Sequence, residues 1–180
     1  MNKSIKGQQG GFTLIELIVV IVILGILAAT ALPRFASLSG EARLASLNAA
    51  KGALSATSAL THGKWLVTKA PSVSVEGFTV TMNATSGYPS VASATQARAL
   101  ADASGLTTAD YTVYTANGTN RPTINATVGE MAIVPASVVG TPSAINCALI
   151  YTPSRAVNTP PAYRVGAVGA TNAQRAAACE

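Results

Sequence analysis

Gly10-Gly11-Phe12-Thr13-Leu14-Ile15-Glu16 opens a run, LIVVIVILGILAATAL, that reaches Pro33. Between Phe12 and Leu32 only Thr13, Glu16 and Thr30 are polar, across 21 residues. At about 1.5 Å per residue, such a helix spans a hydrocarbon layer roughly 30 Å thick. Glu16 sits four residues inside its start. An ionised side chain deep in a membrane helix costs about 2.5–3.5 kcal/mol on insertion scales, so Glu16 is a functional candidate. A plain signal anchor offers a second reading, with Glu16 snorkelling to the interface.

The residues around the run carry more than hydropathy. The text GG|FTLIELIVVIVILGILAATALPRF resembles the prepilin signature of type IV pilins. The resemblance implies a short basic leader, Met1–Gly11, removed by cleavage before Phe12, and methylation of the new Phe12 amine. It further implies an assembly role for Glu16, the fifth mature residue, and places Pro33 at the twenty-second. The leader MNKSIKGQQGG carries two lysines, which suits the cytoplasmic side of an anchor. Cleavage before the apolar run leaves the helix in the mature chain, unlike a secretory signal peptide. The motif alone leaves open a pilin or a pseudopilin of type II secretion.

The helix does not stop at Pro33. Its missing amide donor and Gly25 suggest a bend or local melting between residues 25 and 33. Residues 34–60 then place Phe35, Leu38, Ala42, Ala45, Ala49, Leu54 and Leu60 near a 3.6 period, which predicts an amphipathic continuation buried along that row. One helix from about Thr13 to about His62 is expected, broken at Thr61-His62-Gly63. The chain divides into leader 1–11, membrane helix 12–33, amphipathic helix 34–62 and head 63–180.

In the head, KWLVTK at 64–69 reads as a short strand. VSVEGFTVTM at 73–82 alternates about Glu76-Gly77, a turn or bulge. NATSGYP at 83–89 is a loop, and 90–103 a short helix capped by Ser90 and stopped by Gly105. Strands follow at Tyr111–Thr115, Thr123–Val128, Glu130–Val134, Ala148–Thr152 and Tyr163–Val168. Turns fall at Asn117-Gly118 and Gly140-Thr141-Pro142, and PSRAVNTPP at 153–161 is a loop or hairpin tip. The fold class is α+β: a long N-terminal helix on an antiparallel sheet. The segments KGALSATSALTHGKWLV, GYPSVASATQARAL and CALIYTP…PPAYRV narrow the resemblance to type IVa major pilins of mannose-sensitive haemagglutinin pili. That implies the type IV pilin fold with a C-terminal disulfide-bounded region.

Composition agrees. The chain is 49% hydrophobic and 11% charged, which points to a membrane-anchored or assembled protein. Without the leader lysines, ten basic residues face seven acidic ones, or +3. The basic residues are scattered, so no nucleic-acid groove is expected, and a DNA-uptake pilus finds little support. Cys147 and Cys179 are too far apart for a CxxC redox or zinc motif. In an exported chain a disulfide is expected, the alternative being two buried thiols.

No site for catalysis, metal or cofactor is expected. His62 stands alone, and GAVGAT at 166–171 lacks the Walker lysine and the Rossmann spacing. The acceptor-like Asn83, Asn117 and Asn125 triplets read as turn and strand residues. Trp65, Tyr88, Tyr111 and Tyr114 could stack on sugars or simply pack. The expected partners are copies of the chain, a prepilin peptidase and methylase, an assembly platform with ATPase motors, a secretin, the inner membrane, and a glycan or other surface ligand. The expected location is the inner membrane with a periplasmic head, then an extracellular filament, in a Gram-negative bacterium.

Overall fold

The computed structural model describes residues 13–115, 129–157, 159–167 and 169–180, and no side chains at 33–37 or at 145. The chain forms two compact units, Met1–Ala36 and Ser37–Glu180. Helix α1, Leu14–Thr68, runs as one element through both. Its backbone stays helical at Gly25 and Pro33. Within the first unit, Leu14–Leu32 is long and apolar enough to cross a membrane, and none of it is buried. Thr30 turns its hydroxyl back onto the Leu27 carbonyl at 2.9 Å, so its polar group is satisfied within the helix.

In the second unit α1 buries a row different from the expected one. Leu44, Leu47, Ala50 and Leu54 are buried, followed by Thr57, Ser58 and Thr61. Of the expected row only Leu54 is buried. Leu38 and Leu60 are 56% and 60% exposed, and Ala42, Ala45 and Ala49 are exposed with them; Phe35 lies outside the described side chains. Two rows at helical spacing compete along this stretch. The head takes the one that sets Leu44 and Leu47 before Leu54 in place of Ala42, Ala45 and Ala49, because burial gains about 25 cal/mol per Å² and leucine offers more area than alanine. The remaining row is Ala42, Ala45, Ala49, Gly52, Ala56, Ala59 and Gly63, all exposed.

The expected break at Thr61–Gly63 does not occur, and residues 64–68 are helical rather than a strand. Thr61 bonds the carbonyls of Thr57 and Ser58 at 2.9 and 3.0 Å. The His62 ring stacks on Tyr88 at 3.9 Å, with Nδ1 2.8 Å from the Gly87 carbonyl. The Trp65 ring lies against the Gly87 backbone, and the Lys69 ammonium sits 3.9 Å from the ring centroid. These contacts hold the last two turns helical despite Gly63. Lys69 closes the helix in the left-handed region, φ 52, donating its N–H to the Trp65 carbonyl at 2.7 Å.

Strands β1 (Ser72–Val75) and β2 (Phe78–Thr81) form a two-residue hairpin at the expected place. Glu76 and Gly77 have φ of 50 and 82, the pair of positive values that a type I′ turn requires. Helix α2, Ala94–Ala103, is capped by Ser93 rather than Ser90. Ser90 instead donates to Gln96 Oε1, which also accepts the Ala92 N–H.

A four-stranded antiparallel sheet follows, in the order β3 (Tyr111–Thr115), β4 (Met131–Pro135), β5 (Leu149–Thr152), β6 (Ala162–Val165). The expected strand at 123–128 and the Asn117-Gly118 turn lie outside the described residues. Strand β4, paired on both sides, is buried at all five positions, so it does not alternate. Tyr151 is buried and donates to the Pro89 carbonyl at 2.9 Å. Burial pushes its phenol far above the ordinary tyrosine range, and pushes Tyr163 up for the same reason, so both remain donors.

Two 3₁₀ turns, Ala136–Val138 and Pro142–Ile145, and helix α3, Asn172–Ala177, were not expected. Thr171 and Gln174 form a capping box on α3. Cys147 and Cys179 are joined in a disulfide, as expected, with Cα atoms 4.8 Å apart. This C-terminal region is seated on α1 by two residues. A Cβ at Gly40 would fall 2.3 Å from the Ala176 carbonyl oxygen, so the α3 backbone rests directly on the glycine. Arg43 donates to the Cys179 carbonyl, to the Glu180 carbonyl at 3.2 Å, and to Ser137 Oγ at 3.1 Å.

Gly40→Ala is therefore expected to lift α3 from α1 and cost about 1–3 kcal/mol. Thermal unfolding of the full chain in detergent measures it, with Gly52→Ala, where the added methyl meets open space, as the control. Cys147→Ser is expected to cost about 2–5 kcal/mol by the same measurement.

Candidate functional site

The start of α1 holds an ionisable group at the edge of an unburied apolar span. Thr13 donates its backbone N–H and its hydroxyl to Glu16 Oε2, both at 2.8 Å. Glu16 returns its own N–H to Thr13 Oγ1 at 3.3 Å. This reciprocal pair is a capping box, threonine before the helix and glutamate at its third position, and satisfies two of the orphan donors there. The signal was legible as Thr-Leu-Ile-Glu, but the sequence reading gave Glu16 only an assembly role or a snorkelling one.

The cap fixes what Glu16 can do. Its carboxylate is folded back over the first turn, at the positive end of the helix dipole. Among the described residues only Oε2 is engaged, which leaves Oε1 to meet a cation at the same helix end. Gly11 and Phe12, the expected cleavage and methylation positions, lie outside the described residues. Gly25 and Pro33 lie within α1, distant in sequence from this first turn.

The other candidates are not brought to this end of the chain. His62, Trp65 and Tyr88 stack on one another in the head, while Tyr111 approaches Ser46 of α1 through its hydroxyl. These aromatics are packing residues. Asn83 Oδ1 accepts the N–H groups of Thr85 and Ser86 at 2.9 and 3.0 Å, the turn role expected for it. Asn117 and Asn125 lie outside the described residues. Among the described residues there is no group of three His, Cys, Asp or Glu side chains able to hold a metal.

Residues 6–32 match the prokaryotic N-terminal methylation motif. Over 60 residues the chain is 48% identical to the type IV major pilin protein PilE1 of Neisseria gonorrhoeae, which covers 32% of this chain and 36% of that protein. Over 44 residues it is 54% identical to the type IV narrow pilus major component PilA5 of Thermus thermophilus, 24% of this chain and 38% of that one. A fimbrial protein of Neisseria meningitidis serogroup B is 47% identical over 60 residues, 32% of this chain and 35% of that one. The chain thus aligns with little more than a third of the length of the curated relatives it matches. No solved structure matches it.

Over its N-terminal third the chain is similar to type IV pilins. The long apolar helix, antiparallel sheet and Cys147–Cys179 disulfide make the fold α+β and pilin-like.

Thr13→Ala is expected to remove the cap and destabilise the helix start by about 0.5–2 kcal/mol. Amide exchange in detergent micelles should quicken over the first turn of α1 and nowhere else, and Thr13→Ser should restore protection.

Proposed function

We propose that this chain is the major structural subunit of a type IV pilus of the mannose-sensitive haemagglutinin kind, polymerising into a surface filament for attachment and biofilm formation. The observation that carries the reading is the span Leu14–Leu32: apolar, capped, inside the methylation motif, and with none of its surface buried by its own fold. Such a helix needs either lipid or the same helix from other subunits around it. The apolar helix anchors the precursor in the inner membrane of a Gram-negative cell, with the leader 1–11 on the cytoplasmic side and residues 63–180 as a periplasmic head. A prepilin peptidase cuts after Gly11 and methylates Phe12. An assembly platform, its ATPase motors and a secretin then move subunits from lipid into a helical bundle.

Two features fit that transfer. The exposed row of Ala and Gly on α1 permits close helix approach, as in membrane helix packing. The Thr13 cap leaves Glu16 Oε1 to receive the Phe12 amine of a neighbouring subunit. A carboxylate and an ammonium in an apolar layer are each costly until paired, which ties neutralisation to correct register. Heterologous contacts of this kind between identical subunits give an open filament. Gly25 and Pro33 are the positions where the helix can bend during the transfer.

The reading is tested by electron microscopy of sheared surface filaments with mass spectrometry of their subunit. The expected result is filaments built of this chain, beginning at methylated Phe12. Assembly confined to the periplasm would instead assign the chain to a secretion pseudopilus. Co-expressed with wild type, Glu16→Gln should insert in the membrane yet be depleted in filaments. Equal incorporation would show that the carboxylate makes no assembly contact. A bulky substitution at Gly11 should block processing, because the peptidase needs close backbone approach there.

A further inference from the structure

Between Pro33 and the first leucine of the core, the sequence of α1 gives it little to stay helical by. Residues 37–43 read Ser-Leu-Ser-Gly-Glu-Ala-Arg. Serine ranks below alanine as a helix former, and glycine lower still. Pro33, one turn earlier, withholds an amide from the helical ladder. Burial does not make up the difference. Leu38, Ser39, Glu41 and Ala42 are exposed, and the first buried leucine is Leu44. The stretch is nevertheless helical, and the head's compact unit begins at Ser37.

Within 38–43 the residues that are not exposed are Gly40 and Arg43, and both meet the C-terminal segment. The α3 backbone rests on Gly40 through the Ala176 carbonyl. Arg43 Nη1 donates to the carbonyls of Cys179 and Glu180, and its Nε–H donates to Ser137 Oγ. Bonds from a guanidinium are charge-assisted and about twice as strong as neutral ones. Their acceptors are held in place covalently, because Cys179 is buried and bridged to Cys147.

We infer that this clasp is a conformational stop on α1. It keeps residues 38–43 helical, so that unwinding which starts at the bend between Gly25 and Pro33 halts at the edge of the head. With the clasp open, unwinding runs on to Leu44, where the leucine row takes over. The stop depends on the disulfide, since Cys179 supplies both an acceptor carbonyl and one sulfur of the bridge. During transfer from lipid to filament the span can then change direction while the leucine row stays seated. The inference rests on the bend proposed above but not on polymerisation.

The test is residue-resolved amide exchange of the full chain in detergent micelles, where no filament is needed, repeated in purified filaments. A failure to polymerise is thus seen separately from a failure of the stop. In wild type, residues 34–36 should exchange fast and residues 38–43 slowly. Arg43→Gln should speed exchange over 38–43 on the order of tenfold or more, the worth of a lost charged hydrogen bond, and leave 47–61 unchanged. Cys147→Ser should act in the same direction, and Arg43→Lys, which loses the fork but keeps the charge, should fall between. Gly40→Ala separates the clasp from helix propensity. Alanine is the better helix former, so propensity alone would slow exchange over 38–43. Opening the clasp speeds it, because the added methyl meets the Ala176 carbonyl. Gly52→Ala, whose methyl meets open space, should leave 38–43 as in wild type. Slower exchange in Gly40→Ala, or no change in Arg43→Gln, would overturn the inference. So would equal exchange across 34–43 in wild type, or loss of protection across 38–61 alike in Arg43→Lys, which would make the clasp part of the general fold.

Discussion

Among the described residues the apolar span Leu14–Leu32 is left unburied, and that constraint shapes the molecule. A helix of this length is the one backbone form that satisfies its own polar groups in lipid. Its start still leaves orphan donors, and the first of them falls to Glu16 through Thr13. A residue that insertion energetics mark as expensive thus has a local structural role as well. The same carboxylate closes the helix on its own chain and keeps one oxygen available at the end where a mature amine would lie.

The head solves a different problem on the same helix. Its contribution from α1 is a row of leucines at positions 44, 47 and 54, with small and hydroxylated residues between. The C-terminal region has little core of its own, with one short helix and two 3₁₀ turns. It is held by the disulfide and by Arg43, whose fork gathers the last two carbonyls and Ser137. Gly40 sets the distance at which this clasp can close.

The particular misreadings in the sequence share a cause. Thr61-His62-Gly63 has the local character of a helix end, yet stacking of His62 on Tyr88 and of Trp65 on Gly87 outweighs roughly 1 kcal/mol of glycine propensity. Ser90 and Ser93 are equally good caps by composition. The Ser93 hydroxyl is the one placed to receive the Gln96 N–H. The two faces of α1 differ by the side on which the leucines fall, and alanines on both sides blur the periodicity.

What the sequence determined by itself was local or covalently spaced: the length of the apolar run, a turn or bulge at Glu76-Gly77, and the positions of β1 to β6 within a few residues. Each depends on neighbours one to four residues away, or on alternation along one strand. Tertiary structure alone decided which face of α1 is buried, how far α1 continues, and where α3 rests. It also decided that Arg43 clasps the C-terminus. These depend on contacts between residues far apart in sequence, from about twenty-five for His62 to Gly87 to more than a hundred for Arg43 to Cys179, where many arrangements share the same local pattern and packing selects among them.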